Sequence, residues 1–333
     1  MIDGNRHSTS NNATSDGGPS RGKWVKLTIR LAVTIGLGWF VFHKIDVDIF
    51  FHYLIGVDLT ACIVAIAIFQ LQAIIGGLRW GAVLKAVGIP FRYTRTITLF
   101  FIGYFFGQAL PSSVGGDAIR IYEFHKDGHS LTESVTGVLL ERVFSVIILI
   151  ILVLAMQPLF VAKIGAAQMD GGLTVVFLFS IVFIFSLAAI LFGDRIPLPD
   201  LRIVRSFRQI AKSLRQLATS VRSLSIVGGL ALAGHVNTAL GVYVFAYGLG
   251  IEVSFLDCLM LMPPVVLITT VPISIAGWGV REIAMITAFG MIGISSDPIL
   301  ALSIMVGLAN LLIGLSGGVL WLAGRRCDLP GRT

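Results

Sequence analysis

The sequence predicts an all-α polytopic membrane protein, and three observations carry that prediction. Hydrophobic residues make up 56% of the 333 residues and charged residues only 13%. Several apolar runs reach the roughly 20 residues needed to cross a hydrocarbon core about 30 Å thick. Two further apolar segments are broken in the same way, by "LPSSVGGDAIR" (Leu110 to Arg120) and "VPISIAGWGVR" (Val271 to Arg281). The expected architecture is about six full spans plus two broken or re-entrant segments, about eight membrane segments in all. No room is left for a soluble catalytic domain.

Along the chain, residues 1–22 are rich in Ser, Asn and Gly and almost devoid of apolar side chains. Such a segment buries too little surface to fold and reads as a disordered cytoplasmic tail. It is not a signal peptide, because the apolar run starts too late and no small-residue cleavage pattern follows. A single transmembrane domain is expected over 23–325, with spans at 25–42, 58–76, 134–157, 173–193, 226–249 and 298–323. The interrupted segments fall at 96–116 and 255–294, and 326–333 is a short cytoplasmic tail. Within the domain, 201–224 reads as an amphipathic helix. Leu201, Val204, Phe207, Ile210, Leu214, Leu217, Val221 and Leu224 recur at helical spacing, and Arg202, Arg205, Arg208, Lys212, Arg215 and Arg222 fill the other face. A helix of this kind lies on an anionic lipid surface. Docking of a soluble partner is the second reading.

Charge sets the topology, because loop Arg and Lys mark the cytoplasmic side. The tail before the first span, the segment after the second (Arg79, Lys85, Arg92, Arg95), the region 194–225 and the C-terminus are all basic. The links 43–57 and 158–172 hold one Lys each, Lys44 and Lys163. If 96–116 crossed fully, the most basic loop would lie outside. If it enters from the cytoplasm and returns, 20 of the 25 Lys and Arg residues lie inside and 2 outside, with Arg30, Arg142 and Arg281 in or beside apolar segments. Both termini are then cytoplasmic. Segment 255–294 is approached from the opposite face, as a re-entrant hairpin or as two short spans. Two broken segments entered from opposite faces are the sign of an inverted repeat, and they point to a transporter's binding site.

The matched motifs align Pro111 with Pro272, Ser113 with Ser274, Gly116 with Gly277 and Arg120 with Arg281. Gly115 and Trp278 flank the aligned glycines. Proline stops the incoming helix. Glycines permit the turn and close approach. New short helices are expected near 117 and 278, their N-terminal N–H groups facing a cavity suited to phosphate or carboxylate. Arg120 and Arg281 would lie about one turn into them, and guanidinium pairs naturally with phosphate oxygens. Broken backbone at membrane depth is tolerated where protein buries it or a watery cavity meets it. The plainer reading is a pair of packing kinks.

Glu141 and Arg142 sit in an otherwise apolar span, where ionisable groups are costly and are functional candidates. Neighbours on a helix point about 100° apart, so each needs another partner. Asp117, Arg120, Arg281 and Glu282 are the available set. His235, Asn237 and Asn310 read as inter-helix hydrogen bonds, and Gln70 and Gln72 as equally structural. Cys62, Cys258 and Cys327 lack metal-like spacing and argue against a disulfide framework. No P-loop, HExxH or GxSxG motif occurs. No cofactor, metal or nucleic acid is expected: the net charge of +7 is explained by basic loops and by the helix 201–224.

"LPSSVGGDAIRIYEF", then "VLLERVFSV", then "VPISIAGWGVREIAMI" resembles the flippase-like family also called the lysylphosphatidylglycerol synthase transmembrane-region family, from about 24 to 325. The resemblance implies a polytopic fold that moves lipids or lipid-linked groups between leaflets, in a bacterial inner membrane. It transfers Pro111, Gly115, Gly116, Asp117, Arg120, Glu141, Arg142, Pro272, Gly277, Arg281 and Glu282 as family positions. Trp278 departs from the smaller residue expected there, and its indole would narrow the cavity or stack on a headgroup. Some relatives carry a soluble aminoacyl-transferase domain. This chain ends at Thr333, so that domain and its chemistry are not expected here.

The function expected is flippase- or scramblase-like movement of a phospholipid or lipid-linked headgroup, without enzymatic chemistry. Arg120, Arg281, Asp117, Glu141, Arg142 and Glu282 would meet an anionic or modified headgroup. The alternative is a non-transporting partner subunit of a lipid or envelope-glycan enzyme, docked through 201–224. An integral-membrane transferase is the third reading, and it lacks a visible His/Asp dyad or DDxxD-like metal cluster. A homodimer is compatible with the sequence.

Overall fold

The structure, a computed structural model, describes residues 56–109, 115–164, 181, 212–217, 219–271 and 277–327. The helices are α1 (Leu59–Ala86), α2 (Tyr93–Ala109), α3 (Gly115–Lys126), α4 (Leu131–Ile164), α5 (Val221–Gly248), α6 (Phe255–Thr270), α7 (Val280–Gly290) and α8 (Ser296–Cys327). Residues 212–217 are also helical. Helices α1, α4, α5 and α8 are long and apolar enough to cross a membrane. At 28 residues, α1 and α5 are each about 42 Å long. The chain is an integral, multi-pass, all-α membrane protein. Helices α2, α3, α6 and α7 have 17, 12, 16 and 11 residues. Over the described residues they reach about 17 to 26 Å.

The order long, short, short, long occurs twice. Helix lengths are 28, 17, 12 and 34 residues in α1–α4, and 28, 16, 11 and 32 in α5–α8. The packing repeats as well. Pair α1–α2 has its counterpart in α5–α6, α2–α3 in α6–α7, α3–α4 in α7–α8, α2–α8 in α6–α4, and α1–α8 in α5–α4. Helix α1 packs on its own counterpart, α5. The two run antiparallel: Asp58 N–H, before α1, donates to Gly248 O at the end of α5 (2.9 Å). Asn237 Nδ2 donates to Ile68 O (2.9 Å) farther along.

Small residues let these helices approach, as expected where lipid removes a hydrophobic drive between helices. A Cβ on Gly241 would lie 2.6 Å from the Phe69 ring, and one on Gly317 would collide with the Phe101 carbonyl. Phe69 and Phe245 stack with ring centroids 5.7 Å apart. They belong to an apolar core that also takes in Met285, Phe289 and Ile299. Buried, free Cys62 and Cys258 lie in the same core.

Local chemistry explains the helix limits. Asp58 caps α1 by accepting from Thr60 N–H (2.8 Å). Ser254 and Asp257 form a reciprocal capping box at α6. Helix α6 stops at Thr270, just short of Pro272. A residue before proline disfavours helical backbone, and Val271 is extended at φ −72°, ψ 124°.

Some expectations need correction. Helix α1 continues past 76 to Ala86, so Arg79 is in a long helix and not in a loop. The amphipathic helix does not continue through 224: Ser220 caps α5, its side chain accepting from Ser223 N–H, and Val221 and Leu224 belong to α5. Leu214 and Leu217 are buried against Val83, Leu140, Phe144 and Val227, so at this end the apolar face meets the chain's own core. The tail 1–22, the span at 25–42, the span at 173–193 apart from residue 181, residues 201–211 of the basic segment, and Pro111, Ser113, Pro272 and Ser274 lie outside the described residues.

Candidate functional site

A cavity of about 400 Å³ is lined from both broken segments. Gly116, Asp117 and Arg120 come from α3, Gly277 and Arg281 from the break before α7 and from α7 itself. Thr269 and Thr270 close α6, Arg79 comes from α1, Glu141 and Arg142 from α4, and Asn310 from α8.

Charge on the wall is arranged as a chain of ion pairs. Glu141 Oε1 accepts from Arg79 Nε at 2.8 Å and from Arg79 Nη2. Glu141 Oε2 accepts from both terminal nitrogens of Arg120 at 3.4 Å. Arg120 Nη1 also reaches Asp117 Oδ1 at 3.2 Å. Asp117 Oδ2 in turn pairs with Arg142 Nε at 2.5 Å. Glu141 is only 2% exposed and Arg120 3%. The Arg120 guanidinium lies between two ring faces, 4.4 Å from the Trp80 centroid and 4.1 Å from that of Phe100. Such cation–π contacts are strongest where water is excluded. The Arg142 side chain, by contrast, is 44% exposed.

The second segment is built differently. Gly277 and Gly279 adopt φ of 78° and 83°, a left-handed backbone that glycine alone adopts at little cost. Trp278 stands between them, and its ring lies 4.7 Å from the Arg281 guanidinium carbon. Glu282 accepts from the Gly279 backbone N–H and from Arg281 Nη2 at 2.6 Å. Ser303 Oγ bridges the pair, accepting from Arg281 Nε (3.1 Å) and donating to Glu282 (3.2 Å). A Cβ on Gly307 would strike the Arg281 guanidinium and the Trp278 ring, so glycine there makes room for both.

Asp117, Arg120, Glu141, Arg142, Gly116, Gly277 and Arg281 therefore share one cavity, whereas Gly115, Trp278 and Glu282 lie off its wall. The divergence of Glu141 and Arg142 is as expected, one turning to Arg79 and Arg120, the other to Asp117. The adjacent pair Arg281–Glu282 does bond to itself. The helix starts need correction. Helix α3 begins at Gly115, and Arg120 is its sixth residue. Helix α7 begins at Val280, and Arg281 is its second residue. The left-handed Gly277 and Gly279 delay α7, while Gly115 and Gly116 are already helical. Two arginines that align in sequence thus occupy different helical positions.

Sequence reasoning missed Arg79 as a site residue, because hydropathy falls near Gly76–Gly77 while the helix continues. The signal was the absence of proline between Gly77 and Gly88, whose φ of 76° ends α1. It also missed Trp80 and Phe100, which read as ordinary apolar residues. The neutral polar groups were read as structural, and they do bond: His235 to Ser145 O (3.0 Å), Asn237 to Ile68 O and to Gln72 (3.1 Å), and Gln70 to Ser316 (3.3 Å). Gln72, His235 and Asn310 also line the cavity. Among the described residues, no cluster of three His, Cys, Asp or Glu side chains is arranged to hold a metal ion.

Residues 27–318 match the model of the family described as the lysylphosphatidylglycerol synthase TM region. No curated protein matches the chain.

Proposed function

The chain belongs to the lysylphosphatidylglycerol synthase transmembrane-region family, and from that premise we propose that it moves a membrane lipid between leaflets through the cavity between its two broken segments. The observation that carries the reading is the cavity itself. Two interrupted segments, more than a hundred residues apart in sequence, contribute to one polar, arginine-lined space inside an otherwise apolar helical body. Ionisable groups at such depth are costly and mark a pathway or a binding site. The headgroup enters the cavity while the acyl chains stay in lipid.

The two halves form an inverted repeat in this reading, with α2–α3 and α6–α7 as re-entrant hairpins entered from opposite faces. The repeated helix lengths and pairwise packing support it, as do the antiparallel counterparts α1 and α5. Broken helices at matching positions of two halves are where transporters bind their substrates. We place the chain in a bacterial inner membrane with both termini cytoplasmic; the distribution of basic residues supports that orientation. The non-transporting alternative rests on a docking helix over 201–224, and at Leu214 and Leu217 that segment's apolar face is already taken.

Mass spectrometry of lipids that copurify with the wild type and with Arg142→Gln/Arg281→Ala tests the reading. One headgroup class should be enriched in the wild type and lost in the folded double variant. Equal bulk lipid on both would remove the cavity as the lipid site.

A further inference from the structure

We propose that the cavity selects a net-anionic, phosphate-bearing headgroup without an ammonium group, and that Arg142 is the residue that first engages the phosphate. The inference rests on the lipid-transport reading and names the substrate class of that same site. Among the described residues, four arginines face two carboxylates on the wall: Arg79, Arg120, Arg142 and Arg281 against Asp117 and Glu141. Every oxygen of those two carboxylates already accepts from an arginine. The third carboxylate near the site, Glu282, lies behind the wall and is held by Arg281, Ser303 and the Gly279 N–H. An ammonium group entering the cavity would meet excess positive charge and, among the described residues, no carboxylate without its own cation. A phosphate would meet the reverse.

The arginines are not equally available. Arg120 is enclosed by Glu141, Asp117 and two aromatic rings. Arg79 is committed to Glu141 through two of its nitrogens. Arg281 is buried against Trp278, Glu282 and Ser303. Arg142 pairs with Asp117 through Nε and keeps nearly half of its side chain exposed. The pair with Asp117 holds its planar fork in place, and the exposed side chain offers further donors to phosphate oxygens. Selectivity therefore comes from repulsion of the wrong headgroup as much as from attraction of the right one.

The test uses the full chain in phosphatidylcholine vesicles. They carry a trace of fluorescent phosphatidylglycerol or of fluorescent lysyl-phosphatidylglycerol with the same acyl chains. The anionic reporter should cross at least about tenfold faster than the lysyl reporter, a difference of about 1.4 kcal/mol. Arg142→Gln should slow the anionic reporter by about tenfold or more, and Arg142→Lys, which keeps the charge but not the fork, should recover part of the rate. Melting of each variant in detergent shows that it is folded. If the lysyl reporter crosses as fast or faster, the charge assignment fails and lipid transport stands. If the anionic preference holds but Arg142→Gln leaves it unchanged, the role of Arg142 fails. If neither reporter crosses faster than in protein-free vesicles, lipid transport itself fails and takes this inference with it.

Discussion

Replacing Glu141 by Gln tests the physical account of the ion-pair chain. The substitution keeps size and shape and removes one charge. Two buried guanidinium groups then lose their shared anion. Arg120 keeps Asp117 at 3.2 Å and its two ring faces. Among the described residues, Arg79 loses its one carboxylate partner. Breaking a buried pair by removing one member costs about 3–5 kcal/mol, because an uncompensated charge stays in a low dielectric. In a chain of this size about 2 °C accompanies each kcal/mol, so Glu141→Gln should melt roughly 6–10 °C lower in detergent. Replacing both members of a buried pair by neutral groups costs far less. Arg79→Met in the Glu141→Gln background should therefore recover several degrees, a coupling that a double-mutant cycle reads directly. A Glu141→Gln protein that melts within about 1 °C of the wild type, roughly 0.5 kcal/mol on the same scale, would refute the reasoning. So would a double variant whose loss is the plain sum of the two single losses.

Two further outcomes follow from the packing and the caps. Gly317→Ala should sharply reduce the yield of folded protein, because its Cβ would collide with the Phe101 carbonyl where α8 crosses α2; size-exclusion profiles check this, and Gly229→Ala, which has open space at its Cβ, should be tolerated. Asp257→Ala removes both the capping box with Ser254 and the partner of Lys163, and should cost about 1 kcal/mol or more. Lys163→Ala should cost less than about 1 kcal/mol, since Lys163 is half-exposed; paired melts of the two variants separate the contributions.

Four of the six expected spans were legible because a hydrocarbon core demands long apolar runs, and α1, α4, α5 and α8 all fall where such runs occur. Residues 110–114 of the first break lie outside the described residues; the second break was legible from Pro272, which α6 stops just short of. So was the meeting of the two motifs at one cavity, from their matched residues. Helix ends were less readable. Hydropathy marks where apolar side chains thin out, whereas α1 ends only where a cap and a left-handed Gly88 stop the hydrogen-bond ladder. That difference hid Arg79. Pairing was legible only in kind. Composition asks that Glu141 find a cation, but Arg79 reaches it because α1 and α4 pack, a three-dimensional fact. The register of Arg281 relative to Arg120 depends on φ at Gly277 and Gly279, which aligned letters do not carry.

Transbilayer movement through the cavity is the central claim, and a plug tests it most directly. Gly107 lies on the cavity wall, and a Cβ built there meets nothing within 4 Å among the described residues. Gly107→Trp therefore adds an indole at the cavity wall from a Cβ that meets no clash, and favours the helix besides. The measurement is the rate at which a fluorescent phosphatidylglycerol in the inner leaflet of vesicles becomes reachable by dithionite added outside. The wild type should expose the inner-leaflet reporter, and folded Gly107→Trp should leave it protected nearly as in protein-free vesicles. A wild type that leaves the reporter protected, or a folded plug variant that transports at the wild-type rate, would contradict the account.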